Sequence, residues 1–314
     1  MLNTTSLLAD ALGRNLSGTF RQIYGDQEPR MASALEEAAR LVIECIASSD
    51  ALYHDCEHTA LVTLCVQDIL RGRRFERTIT PIDWGHTILA ALNHDVGYVR
   101  GICHGDTVDH FVTDAAGNTV VPPRGTSDAY LTPYHVERGK IKVRERFAPV
   151  PYIDEERIAR AIELTRFPVP NDEDHAETDT DAGLVRAGDL IGQLGDPFYP
   201  RKLNALYQEL AENGFAEFIA KVGMHGIPEL ADFSQQRRVR LSRGGGRRPG
   251  GDRLSQAHRA GGFDVFLSGR PGCRARGHGQ PRRDAVAAAV DADAMAREMM
   301  RLRCWSSSES GTRL

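Results

Sequence analysis

The sequence predicts an all-α protein with an irregular C-terminal tail, on three observations. Apolar residues recur at three- and four-residue steps from Met31 onward, the spacing of a helix with one buried face. Helix starts are spelled out by capping residues, and the period-two alternation of strands is nearly absent. Residues 31–235 read as one helical domain, preceded by a weakly patterned, loosely docked arm over 1–30 and followed by an Arg/Gly-rich tail over 236–314.

The elements follow in chain order. Leu35, Ala38, Val42 and Ile46 mark one helix face, with Glu36, Glu37, Arg40 and Glu44 opposite, and Ser48-Ser49-Asp50 ends it. A second helix, from about Tyr53 to Leu70 and stopped at Gly72, would carry His54 and His58 four apart on one face. Thr80-Pro81-Ile82-Asp83 has a threonine cap, a first-turn proline and an acid three residues after the cap. The helix it opens runs through Trp84, Ile88, Ala91 and Leu92 to His94-Asp95 and closes at Gly97. Arg100 to Pro133 is a long Gly/Pro/Asp-rich loop, of the kind that is functional or disordered. Further helices are predicted over Pro133 to Arg146, Asp154 to Arg166, Thr180 to Leu194 and Tyr199 to Asn213.

Charge divides the chain. Residues 236–314 hold 17 Arg, no Lys and 7 acids, a net +10, so an overall −4 leaves −14 for the rest. An acidic body argues against a general nucleic-acid binder, because phosphate-backbone binding is a Lys/Arg effect. The tail, with 13 Arg and 11 Gly in residues 236–283, lacks the apolar content for a core. It reads either as a disordered segment that could bind RNA or as out-of-frame translation of a GC-rich gene. One uninterrupted frame through the codon for Gln235 on resequencing would exclude the second reading. Six cysteines without CxxC spacing suggest buried thiols in a reducing compartment. The N-terminus lacks a signal pattern and no run is long and apolar enough for a membrane span. A cytoplasmic protein is expected.

Chemistry-bearing residues fall in three places: Tyr53-His54-Asp55-Cys56-Glu57-His58, His94-Asp95, and Asp189 in Ala187-Gly188-Asp189-Leu190-Ile191-Gly192. One His-Asp dipeptide is weak, since chance supplies about one in a chain of this composition. The H…HD…D order resembles the HD superfamily of metal-dependent phosphohydrolases. The flanks are most similar to its branch containing the cyclic-nucleotide phosphodiesterase catalytic domain, and to an uncharacterised bacterial set within it that shares Thr-Pro-Tyr-His-Val and Asp-Leu-Ile-Gly-Gln. The likeness covers roughly Tyr53 to Gly214.

The resemblance implies an HD/PDEase-like helical bundle and assigns roles. His58, His94, Asp95 and Asp189 would ligate a divalent metal, Zn, Mn, Fe or Mg, one such ion being expected and a second allowed. A metal-bound hydroxide would attack the phosphoester of a nucleotide or small phosphorylated metabolite, and His54 would act as general acid. Asp128 and His135 match an acid and a histidine that support the second metal and its waters. Tyr98 stands where phosphodiesterases often have another histidine, and a phenol is a poorer ligand. The alternatives are an HD-type di-iron oxygenase, a non-catalytic metal- or nucleotide-binding regulator, or an inactive product of a damaged gene. Elsewhere, His86 reads as a packed residue, His104 and His110 as solvated loop positions, and Asp172 to Asp181 as a solvated acidic run. Arg100 and Arg166 read equally as phosphate clamps or as salt-bridge partners.

Overall fold

The computed structural model describes residues 3–167 and 169–213, and these form eight α-helices and one two-residue β-hairpin. The Arg/Gly-rich segment over 236–314 and the end of the expected domain lie outside the described residues.

Residues 3–30 are not a loose arm. They form α1 (Thr4–Tyr24), whose Ala9, Leu12, Leu16 and Phe20 are buried against α2 (Pro29–Ile46). The stripe has helical spacing but is diluted by Asp10, Arg14, Asn15 and Gln22. Partners on α2 absorb some of this polarity: Arg40 donates to Asp10 at 2.8 Å and Ser17 to Glu36 at 2.8 Å. Gly13 permits the close crossing, because a Cβ there would lie 2.8 Å from the Glu36 carbonyl.

Two helices meet under the site. One is α3 (Cys56–Arg73); the other is α4 (Pro81–Asn93), on which every residue from Trp84 to Asn93 is buried. A helix apolar all round belongs in a core, and Ile88, Leu89 and Leu92 each stabilise it by about 2 kcal/mol on burial. The Thr80 and Asp83 capping box forms as its spacing predicts. Asp154 and Thr180 likewise cap α6 (Glu155–Glu163) and α7 (Asp181–Gly195). Between α4 and α5 (His135–Phe147) the chain makes a 3-10 turn (Val96–Tyr98), an antiparallel pair β1 (Phe111–Val112) and β2 (Thr119–Val120), and a second 3-10 turn (Asp128–Leu131). α8 (Tyr199–Glu212) closes the described chain. Among the described residues no helix is long and apolar enough to cross a membrane, and the four described cysteines are free thiols.

Ion pairs bind α5 to α6. Glu163 accepts from Lys140 and Arg166 at 2.5 Å each, and Arg166 also reaches Glu137 at 2.6 Å. Arg166 is thus committed to two carboxylates. Burial alone would raise the Glu163 carboxyl, but Arg166 and Lys140 outweigh it and hold the group at about 2, against 4.5 ordinarily. A depressed folded-state value contributes stability that is present above the unfolded value and lost as pH falls through the folded one. Discounted for solvent screening, the contribution is about 1–2 kcal/mol. Glu163→Gln should therefore melt below the wild type at neutral pH, the gap closing between about pH 5 and about pH 2. A gap independent of pH in calorimetry would show that the pairing contributes nothing.

The acidic run 172–181 is largely engaged. Asp172 caps the turn Glu173–His175, Glu177 pairs with Arg160, and Asp181 pairs with Arg157 and Arg77. His86 is a satisfied core histidine, with Nδ1 donating to the Ile82 carbonyl and Nε2 accepting from the Asp154 amide, both at 2.7 Å. His110 is half exposed and pairs with Asp109.

Candidate metal centre

Each element delivers its residue for a local reason. Asp55 caps α3, its carboxylate accepting from the amides of Glu57 and His58 at 2.9 Å. The helix therefore begins after His54, which lies in the preceding turn and does not share a helix face with His58 as the i,i+4 spacing suggested. His58 sits buried in the first turn of α3. At the other end, α4 stops at Asn93, so His94 and Asp95 leave the helix and enter the 3-10 turn. Gly97 allows that turn to press on α5, since a Cβ there would lie 1.9 Å from the His135 carbonyl oxygen. Asp189 is brought in by glycines on α7. A Cβ on Gly188 would lie 2.2 Å from a Val66 methyl, and one on Gly192 would lie 3.1 Å from the Val62 Cα.

The four side chains expected as ligands converge. His94 Nε2 and His58 Nε2 lie 3.0 and 3.2 Å from Asp95 Oδ2, and 3.4 Å from each other. Asp189 Oδ1 is 3.5 Å from His58 Nε2 and 3.8 Å from His94 Nε2. His94 Nδ1 donates to the Ala91 carbonyl at 2.8 Å, which fixes the tautomer and turns the Nε2 lone pair inward, as in metal-ligating histidines. Asp95 Oδ2 is buried and carries no hydrogen bond. A buried carboxylate oxygen facing two imidazole nitrogens is costly unless a proton or a cation lies between them. These buried His and Asp groups could hold a metal ion: His58, His94 and Asp189 offer ligand atoms within 4.8 Å of one another, as do His54, His58 and Asp95.

The electrostatics agree with that use. Burial opposes a charged His58, but Asp189 and Asp95 outweigh it and push the imidazole up to about 10; His94 is raised for the same reason, chiefly by Asp95. Burial would raise Asp95, yet His94, His54 and His58 hold it well below the carboxylate range. The same carboxylates that favour protonated imidazoles would favour a cation between them, and its binding would compete with those protons. His135 differs: burial, with His54 and His94, presses it down to about 4 against the pull of Asp95. It is neutral, its Nδ1 donates to the Thr132 carbonyl at 2.6 Å, and Nε2 stands 3.9 Å from Asp95 Oδ1.

Asp128 and Tyr98 stand outside the four converging side chains. Asp128 turns to Arg100, whose Nε is 2.9 Å from Oδ1, and its amide donates to Asp50 at 2.6 Å; it is not among the grouped ligand atoms. The reason is local, since Arg100 also donates to the Thr126 and Ser127 carbonyls and so ties the loop before Asp128 to itself. Arg100 is accordingly engaged within the fold. Tyr98 is fully buried and stacks between His54 and His135, with ring centroids 4.5 Å away on both sides and interplanar angles of 15° and 19°.

Two further residues belong to the site. Glu209 on α8 is buried; its Oε2 lies 2.5 Å from His54 Nδ1 and its Oε1 accepts from the Tyr53 and His54 amides. Burial would raise Glu209, but His54 outweighs this and lowers it. A carboxylate only accepts, so Nδ1–H of His54 donates and Nε2 is left for chemistry. Arg138 on α5 is wholly buried and donates to the carbonyls of Gly97, Val99 and Val112 and to both oxygens of Asp106. It locks the loop behind Asp95. Polar residues at these positions look in sequence like solvated helix faces, and nothing in their spacing marks them as interior.

A family model described as Npun_R2479-like matches residues 2–232. The chain belongs to the Npun_R2479-like family. No curated protein and no solved structure matches it significantly. In this Npun_R2479-like chain the matched span starts within two residues of α1 and includes all the His, Asp, Tyr and Glu residues of the centre. α1 is thus part of the family domain.

Proposed function

We propose that this protein is a metal-dependent phosphohydrolase of the HD type, acting on the phosphoester of a nucleotide or small phosphorylated metabolite. The observation that carries the reading is the buried convergence of His58 and His94 Nε2 on Asp95 Oδ2, at 3.2 and 3.0 Å, and on Asp189 Oδ1, at 3.5 and 3.8 Å. His58, His94, Asp95 and Asp189 would hold the cation, a donor set suited to Zn, Mn, Fe or Mg. When bound, such an ion supplies a Lewis acid that activates water near neutral pH and offsets phosphoryl charge. The chain's own contribution is the proton donor. Glu209 orients His54 through Nδ1, so that Nε2 presents a proton to the departing ester oxygen, a step worth about 10²–10⁴-fold in such reactions.

The test combines metal analysis of the purified protein with hydrolysis assays on a panel of nucleotides and phosphoesters. His94→Ala and Asp95→Ala should lose metal and activity together. Activity that survives both would show that the centre is not the engine. His54→Ala should lower turnover by about 10²-fold or more with bound metal nearly unchanged; equal loss of metal would recast His54 as a ligand. Tight iron with oxygen consumption would point instead to the di-iron oxygenase alternative.

A further inference from the structure

We propose that Tyr98 is a positioning residue whose ring, lying between His54 and His135, fixes the orientation of His54 and keeps both imidazoles out of the metal's ligand set. The inference rests on the phosphohydrolase reading for its consequence in catalysis, but its geometry is independent of it. His54 touches Glu209 at Nδ1, Tyr98 across one face at 4.5 Å, and both Tyr53 and His58 edge-on, at 5.1 and 5.4 Å and 83° each. Tyr98 in turn is anchored by its amide N–H, which donates to the Asp95 carbonyl at 3.0 Å, so the spacer rides on a residue of the centre. Thr132 lies beside the Tyr98 hydroxyl and holds His135 through its carbonyl. The faces of the Tyr98 ring, rather than the hydroxyl, stack on the two imidazoles.

The spacer matters because His54 is within reach of the ligands. Its ligand atom already lies within 4.8 Å of those of His58 and Asp95, so the orientation of the ring decides whether His54 serves as proton donor or as metal ligand. Parallel stacking with an aromatic ring holds that orientation, and a proton donor misplaced by about 1 Å can lose about 10²-fold in rate.

The experiment compares Tyr98→Phe, which keeps the ring, with Tyr98→Leu, which removes it, in the full chain. With Mn2+ and bis(p-nitrophenyl) phosphate as probe, Tyr98→Phe should keep kcat within about threefold. Tyr98→Leu should lose about 10²-fold in kcat with KM little changed and an equal or higher metal-to-protein ratio. Two readouts do not depend on turnover. The visible spectrum of the Co2+-loaded protein should be unchanged in Tyr98→Phe and altered by an added nitrogen ligand in Tyr98→Leu. Modification of His54 by diethyl pyrocarbonate in the metal-free protein should be slow in wild type and several-fold faster in Tyr98→Leu. Should Tyr98→Leu fail to fold, Tyr98→Met keeps side-chain bulk without a plane and is expected to behave as Tyr98→Leu. Equal losses in Tyr98→Phe and Tyr98→Leu, or an unaltered Co2+ spectrum and His54 reactivity in Tyr98→Leu, would overturn the proposal. If wild type does not turn over the probe, the phosphohydrolase reading is what suffers, while the spectrum and the modification rate still decide the role of Tyr98.

Discussion

Replacing Asp95 with asparagine is expected to abolish the metal-dependent part of the protein's stability while leaving the metal-free chain folded. Asp95 lies at the meeting point of the two Nε2 atoms and is 4% exposed. In the metal-free wild type its charge is balanced by the raised imidazoles of His58 and His94. Asparagine removes that charge, but an imidazole can respond by giving up its proton. The metal-free variant should therefore lose only about 1–2 kcal/mol, less than when a permanently charged partner is stranded. With metal the contrast is larger. A ligand at 100 times its Kd stabilises the folded state by about 2.7 kcal/mol, or about 5–10 °C in Tm for a domain of this size. Wild type should show that shift when Mn2+ or Zn2+ is added after chelation, and Asp95→Asn should show almost none. Because the cation must displace protons, the wild-type shift should grow from about pH 6 to about pH 8. An equal metal-induced shift in both proteins, read by calorimetry, would remove Asp95 from the ligand set.

What the sequence disclosed and what it hid divide along one physical line. Caps and apolar spacing act locally, so Thr80, Asp154 and Thr180 gave the starts of α4, α6 and α7 within a residue. The cap at Asp55 is as local, and it starts α3 after His54, against the i,i+4 spacing that places His54 on the helix. The four converging side chains were legible through the order of the motifs, because His58, His94 and Asp95 sit at helix ends where the chain must turn inward. Tyr98 was legible as a departure from that order, but not as a spacer, since stacking on His54 and His135 is tertiary. Glu209 and Arg138 were hidden for a stronger reason. Each is a charged residue on a helix of high polarity, and its burial depends on a partner more than 30 residues away. α1 failed in the opposite sense: its stripe of small and apolar residues was present but too interrupted to stand out without α2 beside it.

The largest stability effect is expected at Arg138. All of its guanidinium nitrogens are committed: Nε to the Gly97 carbonyl at 2.7 Å, Nη1 to Val112 at 2.6 Å and Asp106 at 3.0 Å, and Nη2 to Val99 at 2.8 Å and Asp106 at 2.9 Å. Arg138→Met would leave the Asp106 carboxylate buried and uncompensated, together with three carbonyls lacking their donor. Breaking a buried pair from one side costs about 3–5 kcal/mol, a fall of roughly 6–20 °C in Tm for a domain of this size. Adding Asp106→Leu removes the stranded charge, so the double variant should melt above Arg138→Met although below wild type, because the carbonyls stay unpaired. A single variant that melts within about 2 °C of wild type would show that the clamp is energetically idle. The carbonyls it grips belong to Gly97 and Val99, on either side of Tyr98 and just after Asp95. An Arg138→Met protein that still folds should thus bind metal more weakly than wild type, whereas Glu163→Gln, whose pairs lie between α5 and α6, should lose stability without that change in metal affinity.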